Sequence, residues 1–170
     1  MNTSILTVVL TSALLAGQSG SPTWNHSYSH AQKLGASQRK PLFVVVGSGA
    51  DGWKQVVRDG APSQELTQIL SQRYVCVYLD VNDPSGKALA ESFGITGRTG
   101  LIISDRAGET QAFWHQGNLT NDAVVHYLHK YSDPGLTVQG TETVNTVRSS
   151  YYPSEAPQAQ FRPAFTSGSC

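Results

Sequence analysis

The chain has 170 residues, room for one ordinary domain with extensions. Charged residues make up 14% and the formal net charge is zero, which argues against a basic stripe for nucleic acid and an acidic solvating block. The charges are unevenly placed: no Lys, Arg, Asp or Glu precedes Lys33.

Within that uncharged stretch, Ile5 to Ala16 is largely apolar and is followed by Gly17-Gln18-Ser19-Gly20. The length and the small-residue exit fit a secretory signal peptide over residues 1–20 and are too short for a stable membrane span. Two details pull the other way. The start, MNTS, carries no Lys or Arg, and Gln18 stands where a bacterial lipoprotein box would hold its lipidated cysteine. The alternative is a buried N-terminal helix. A signal peptide implies export to the periplasm or the extracellular space, an oxidising compartment, with no membrane span left after its removal.

Trp24, Tyr28, Ala31 and Leu34 recur at helical spacing and predict an amphipathic helix ending near Gly35. Leu42-Phe43-Val44-Val45-Val46 is a continuous apolar run, the pattern of a strand buried on both faces. A Gly-rich turn, 47–52, opens a helix from about Trp53 that Asp59-Gly60-Ala61-Pro62 interrupts. Ser63 with Glu65 caps a further helical piece over 65–72. Residues 74–81 predict a second buried strand, and 85–93 a helix with Ala88, Leu89, Ser92 and Phe93 inward. Strands over 101–104 and 110–114 are joined by the turn Asp105-Arg106-Ala107-Gly108-Glu109. Thr120 caps a last helix, with Asn121 and Asp122 in its first turn and Val124, Val125, Leu128 and Tyr131 on its apolar face.

This order predicts an α/β fold, a central mixed sheet of about four strands flanked by helices on both faces. The domain is expected over 21–133. From Asp133-Pro134 the composition turns to Ser, Thr, Gln and Pro. Residues 134–170 bury too little apolar surface to offset ordering entropy and are expected to form a flexible tail. Tyr151, Tyr152, Phe161 and Phe165 are the aromatics in it that could dock on the domain or a partner.

The only cysteines are Cys76 and Cys170. Cys76 lies inside the apolar run Tyr74-Val75-Cys76-Val77-Tyr78, where cysteine usually serves as a small core hydrophobe. Cys170 ends the chain behind the polar tail.

Three local patterns carry a family resemblance. Lys40-Pro41-Leu42-Phe43-Val44-Val45-Val46 resembles the strand that leads to an active-site turn. Phe93-Gly94-Ile95-Thr96-Gly97-Arg98-Thr99-Gly100-Leu101-Ile102-Ile103 resembles an aromatic-Gly-Ile/Val-x-Gly-x-Pro-Thr strand entry. Gly117-Asn118-Leu119-Thr120 resembles the connection into a closing helix. In this order and spacing, over residues 24–133, the chain resembles the thioredoxin-like superfamily, particularly its exported members. The resemblance implies a Cys-x-x-Cys at a helix N-terminus and a cis-proline beside it. Aligning strand to strand, and Lys54 to the Lys that commonly follows the motif, puts Ala50 and Trp53 at the two cysteine positions and Thr99 at the proline. The methyl of Ala50 cannot replace a thiolate stabilised by the helix dipole, and Arg98–Thr99 is expected to be trans.

Other constellations compete. Gly47-Ser48-Gly49-Ala50-Asp51-Gly52 satisfies G-x-G-x-x-G between a strand and a helix, with Asp80 ending the next strand. That is the layout of a dinucleotide-binding turn, although the sheet then closes with a hairpin. A P-loop fails because Trp53 takes the Lys position. Ser48 does not meet G-x-S-x-G, since residue 46 is Val. His26/His30 and His126/His129 each could share a helix face. Both pairs fall opposite the apolar stripe, and the first and last helices should cover opposite faces of the sheet, so solvent is the expectation and no metal site is predicted. His115 stands alone.

The residues favour an exported, redox-inactive thioredoxin-like domain that binds a peptide or protein and needs no cofactor. The expected contact surface is Ala50, Asp51, Gly52 and Trp53, with Arg98 and Thr99 on the adjacent loop. Trp53 is either an exposed anchor or a plug folded inward. The alternatives are a thiol-disulfide oxidoreductase using Cys76 or Cys170, and a dinucleotide-binding module at Gly47–Gly52.

Overall fold

The computed structural model describes residues 20–144 and 146–148. The expected signal segment up to residue 19, the tail from 149 and Cys170 lie outside the described residues. The elements run β1 (Trp24–Asn25), α1 (Tyr28–Gln38), β2 (Leu42–Gly47), a 3-10 turn (Gly52–Val56), α2 (Gln64–Arg73), β3 (Val75–Asp80), α3 (Pro84–Ser92), β4 (Gly100–Ser104), β5 (Gln111–Gln116), α4 (Asn121–Ser132), β6 (Thr141–Thr143) and β7 (Thr146–Arg148).

The strands form one mixed sheet in the order β1-β3-β2-β4-β5-β6-β7. β2 and β3 are parallel, with Leu42 beside Val75 and Gly47 beside Asp80. β4 is antiparallel to β2, with Val46 opposite Gly100. The period-2 alternation of side chains divides the core into two layers. Phe43 and Val45 of β2, with Cys76 and Tyr78 of β3, meet Leu66, Ile69 and Leu70 of α2 and Val124, Leu128 and Tyr131 of α4. Leu42, Val44 and Val46, with Val75, Val77 and Leu79, meet Ala31 of α1 and Ala90 of α3. Helices therefore cover both faces, and an apolar run without alternation is what both central strands require.

Three elements depart from the sequence pattern. The first helix starts at Tyr28 because Ser27 caps it, its hydroxyl accepting from the His30 N–H. Trp24 pairs instead with Cys76 as a parallel strand, on the opposite face of the sheet from Tyr28 and Leu34. That helix also runs past Gly35 to Gln38 and ends on Arg39 at φ 53°. Gly35 is needed for close packing, since a Cβ there would sit 2.9 Å from Leu42 Cδ2. In α3, Asp83 is the cap and Pro84 the first residue; Gly86 and Ala90 are buried while Ala88 is exposed.

The predicted fold class holds, and among the described residues the sheet has seven strands where about four are expected. β6 pairs in parallel with β5, Glu142 beside Phe113, and β7 returns antiparallel to β6. The fold thus continues past residue 134, where composition alone predicts a flexible tail. The extension is held by polar contacts that apolar counting cannot see. Thr141 Oγ1 donates to the Gln111 carbonyl at 2.8 Å, and the Tyr131 hydroxyl and Lys130 ammonium both donate to the Glu142 carboxylate.

Candidate functional site

The strand register decides which loops meet. β2 ends at Gly47, and β4 begins at Gly100 beside Val46. The turn that follows β2 and the loop that precedes β4 therefore emerge at the same end of the sheet. Residues 50–53 lie in the first of these connections and residues 98–99 in the second.

The turn is built around Tyr78. Its hydroxyl donates to the Gly49 carbonyl at 2.6 Å, and the Gly49 N–H donates to Asp80 Oδ1 at 3.1 Å. Gly49 adopts φ +77°, which favours glycine. A Cβ on Gly52 would lie 2.1 Å from the Tyr78 hydroxyl, and one on Gly47 would lie 2.7 Å from the Gly52 carbonyl. The three glycines of the G-x-G-x-x-G pattern are thus accounted for within the chain, Gly47 and Gly52 by packing and Gly49 by its positive φ. The same Asp80 oxygen also accepts from the Asn82 N–H at 2.9 Å, so one oxygen of this carboxylate holds the turn. The geometry gives no support to a dinucleotide turn.

The helix expected from Trp53 is only the five-residue 3-10 turn Gly52–Val56. Val57 is extended and forms a parallel bridge to Leu119: the Leu119 N–H donates to the Val56 carbonyl at 2.9 Å, and the Arg58 N–H to the Leu119 carbonyl at 2.7 Å. The regular helix α2 begins only at Gln64. A turn this short aligns few peptide dipoles, so position 50 lacks the field that lowers a thiol pKa at a true helix start.

Ala50 and Asp51 are exposed, Gly52 is buried and Trp53 is half-buried. Trp53 is neither a free anchor nor a sealed plug. Its ring lies 5.1 Å from that of Trp24, tilted by 36°, and Trp24 in turn contacts Phe43 and Tyr78. The Lys54 ammonium sits 5.7 Å from the Trp53 ring and pairs with Asp51 at 2.9 Å. That ion pair is exposed and adds little to stability. Trp24 was hidden from pattern reading by its helical spacing to Tyr28.

Arg98 is exposed and Thr99 half-buried. Every described peptide bond is trans, Arg98–Thr99 among them. The Thr99 carbonyl accepts from the Gly117 N–H at 2.8 Å. Gln116 Oε1 accepts from both the N–H and the hydroxyl of Thr96 at 3.3 Å and so braces the loop. Nothing in the sequence pattern marked Gln116.

Cys76 is 2% exposed, with its sulfur 4.0 Å from the Leu70 carbonyl. Burial pushes its thiol up to about 12. It is therefore protonated at neutral pH and out of reach of solvent, the opposite of a reactive cysteine. His26 and His30 are exposed at the start of α1, and His126 and His129 are exposed on α4. These helices lie on opposite faces of the sheet, so the pairs do not converge. His129 contacts Glu65 at 3.3 Å instead. Among the described residues no three His, Cys, Asp or Glu side chains are grouped to hold a metal. His115 is half-buried, and burial lowers its pKa.

No family model matches the chain, and no curated protein does. Solved structures do. A thioredoxin from Thermus thermophilus, in its solution structure, aligns with a TM-score of 0.53 at 19% identity, over 65% of this chain and 87% of its own. This chain has the thioredoxin fold. The C-terminal domain of DsbD from Neisseria meningitidis also aligns. Its oxidised form has a TM-score of 0.45 at 13% identity, over 64% of this chain and 99% of its own. Its reduced form has 0.44 at 16%, over 61% and 92%. Within this thioredoxin fold the β2–β4 end carries Ala50 and Trp53, and the sequence contains no Cys-x-x-Cys. No helix among the described residues is long and apolar enough to cross a membrane.

Proposed function

We propose that the chain is an exported, redox-inactive thioredoxin-like domain that binds a peptide or protein segment through Ala50, Asp51, Gly52, Trp53, Arg98 and Thr99. The observation that carries the reading is the tilted ring contact of half-buried Trp53 with Trp24 at the sheet end. A Trp held by its neighbour has already lost rotamer freedom, so less entropy is lost when a partner packs on its open face. Trp and Arg are also the residue types that most often dominate interfaces. Asp51 and Lys54 supply a mixed-charge rim for polar contacts beside it, and Arg98 belongs to the loop at the same sheet end. The buried, protonated Cys76 and the missing helix start at position 50 weigh against thiol chemistry. The apolar segment Ile5–Ala16 with its small-residue exit supports export to the periplasm or the extracellular space.

The test is an array of surface-bound peptides probed with the wild-type protein and with Trp53→Ala and Arg98→Ala variants of confirmed fold. Capture of a peptide subset by wild type, lost with Trp53→Ala and weakened with Arg98→Ala, is expected. Equal capture by wild type and Trp53→Ala, or none by either, overturns the reading.

A further inference from the structure

Beside the turn, on the α1/α3 side of the same sheet end, a cleft of about 480 Å³ opens between the start of α1, the end of β3 and the first turn of α3. Tyr28, Tyr78, Leu79 and Leu89 form aromatic and apolar wall, and Asp80 and Asp83 bring the charge. No Lys or Arg lines it, and His26 is its one basic group. The site sits at the carboxyl ends of the parallel strands, where open α/β sheets place their ligands.

We propose that this cleft takes the cationic side chain, arginine or lysine, of a bound polypeptide; the proposal rests on the polypeptide-binding reading above and names the partner's chemistry. Each carboxylate has one oxygen engaged by the chain. Asp80 Oδ1 accepts from Gly49 and Asn82, and Asp83 Oδ2 accepts from the Ser85 hydroxyl and the Gly86 N–H. Asp80 Oδ2 and Asp83 Oδ1 have no partner among the described residues. Gly86 is what brings the two acids together: a Cβ there would lie 2.3 Å from the Asp80 carbonyl oxygen, so only glycine lets α3 begin against the end of β3. The hydrogen bonds from Ser85 and Gly86 also hold the Asp83 carboxyl below its ordinary value, which keeps it charged.

The starts of α1 and α3 oppose a cation, each carrying roughly half a positive charge. Two full carboxylate charges outweigh them and leave the cleft at roughly one negative charge. The half-buried Tyr28 ring adds attraction for a guanidinium or ammonium group. Tyr78 both walls this cleft and supports the Gly49 carbonyl, so a chain lying across the Trp53 turn has a basic side chain's reach into it.

The test is an amide NMR titration of the full chain with three probes: N-acetylarginine amide, a blocked Gly-Phe-Arg-Phe-Gly peptide, and the same peptide with citrulline for arginine. The arginine amide should shift the Asp83, Ser85 and Gly86 resonances alone. The arginine peptide should shift these and the Trp53 indole, and citrulline should leave the cleft signals in place. Asp83→Asn keeps a good helix cap and should weaken the cleft response about fivefold, with added salt doing likewise. Equal cleft shifts from arginine and citrulline peptides, or an unchanged Asp83→Asn response, overturn the cleft assignment; a Trp53 shift surviving in that case leaves the binding face standing. Cleft shifts from the arginine peptide without any at Trp53 overturn the binding face and leave the cation site.

Discussion

Replacing Gly52 by alanine places a methyl carbon 2.1 Å from the Tyr78 hydroxyl, about 0.9 Å inside the 3.0 Å below which Cβ contacts essentially do not occur. The ring must retreat, and its 2.6 Å bond to the Gly49 carbonyl breaks. Overpacking costs about 1–3 kcal/mol, and the lost Tyr78 hydrogen bond about 1 kcal/mol more, since the Gly49 carbonyl keeps the Gly52 N–H at 3.1 Å. Gly52→Ala should therefore destabilise the domain by about 2–4 kcal/mol. Tyr78→Phe alone loses only the hydrogen bond, about 1 kcal/mol. In the double variant the clashing oxygen is gone, and the nearest atoms to the new methyl are the Gly47 carbonyl carbon at 3.0 Å and the ring carbon at 3.1 Å. The double variant should be more stable than the sum of the singles by about 1 kcal/mol or more. Urea denaturation of the wild type, both singles and the double measures this. Additivity within about 0.5 kcal/mol, or a Gly52→Ala cost below that, would refute the argument that this glycine answers to Tyr78. It would reopen the question of a ligand pressed against the turn.

Further outcomes follow from the same geometry. Native Cys76, in a Cys170→Ser background, should resist a thiol-alkylating reagent at pH 7.5 and react at once in urea, because its thiol is buried and pushed up to about 12; rapid native labelling would contradict this. Trp53→Ala should cost about 1–2 kcal/mol from lost ring contact and partial burial, read as a lowered Tm and altered emission from Trp24. The β6–β7 extension should be sensitive to acid through Glu142. Burial alone would raise that carboxyl, but hydrogen bonds from Lys130 and Tyr131 and the charges of Lys130 and His126 more than offset it and hold it below 4.5. With the folded value depressed, its contribution is present above the unfolded value and lost as pH falls through the folded one. Amide exchange at the β5–β6 pairing should therefore accelerate below pH 4.5 in the wild type and be already fast and nearly pH-independent, after correction for intrinsic exchange, in Glu142→Gln.

How far the fold could be read from the chain depended on what holds each element. β2 and β3 are apolar on both faces, the hairpin turn has Asp105 accepting from the Glu109 and Thr110 N–H groups, and Thr120 caps α4 through the Ala123 N–H. Those local signals are strong and agree with the tertiary context. β1 is two residues long and has no period to detect, so the aromatic Trp24 joined the helical stripe of Tyr28 and Ala31 instead. The 3-10 turn was unreadable because a long-range bridge, Val57 to Leu119, breaks the helix that local sequence begins. β6 is stabilised by Thr141, Glu142 and Tyr131 contacts made across many residues of chain. In the candidate site, Ala50, Asp51, Trp53, Arg98 and Thr99 were reached through the strand order. Trp24, Tyr78 and Gln116 were not, since each acts on residues far from it in sequence.

The most direct test of a thioredoxin fold without thiol chemistry is insulin reduction by dithiothreitol, followed by the turbidity of the precipitating B chain. Insulin should precipitate at the rate set by dithiothreitol alone, with the full chain present in micromolar amounts and with Cys76→Ser and Cys170→Ser alike. Acceleration by the wild type that either serine variant removes would show a working thiol and contradict the proposed loss of redox function.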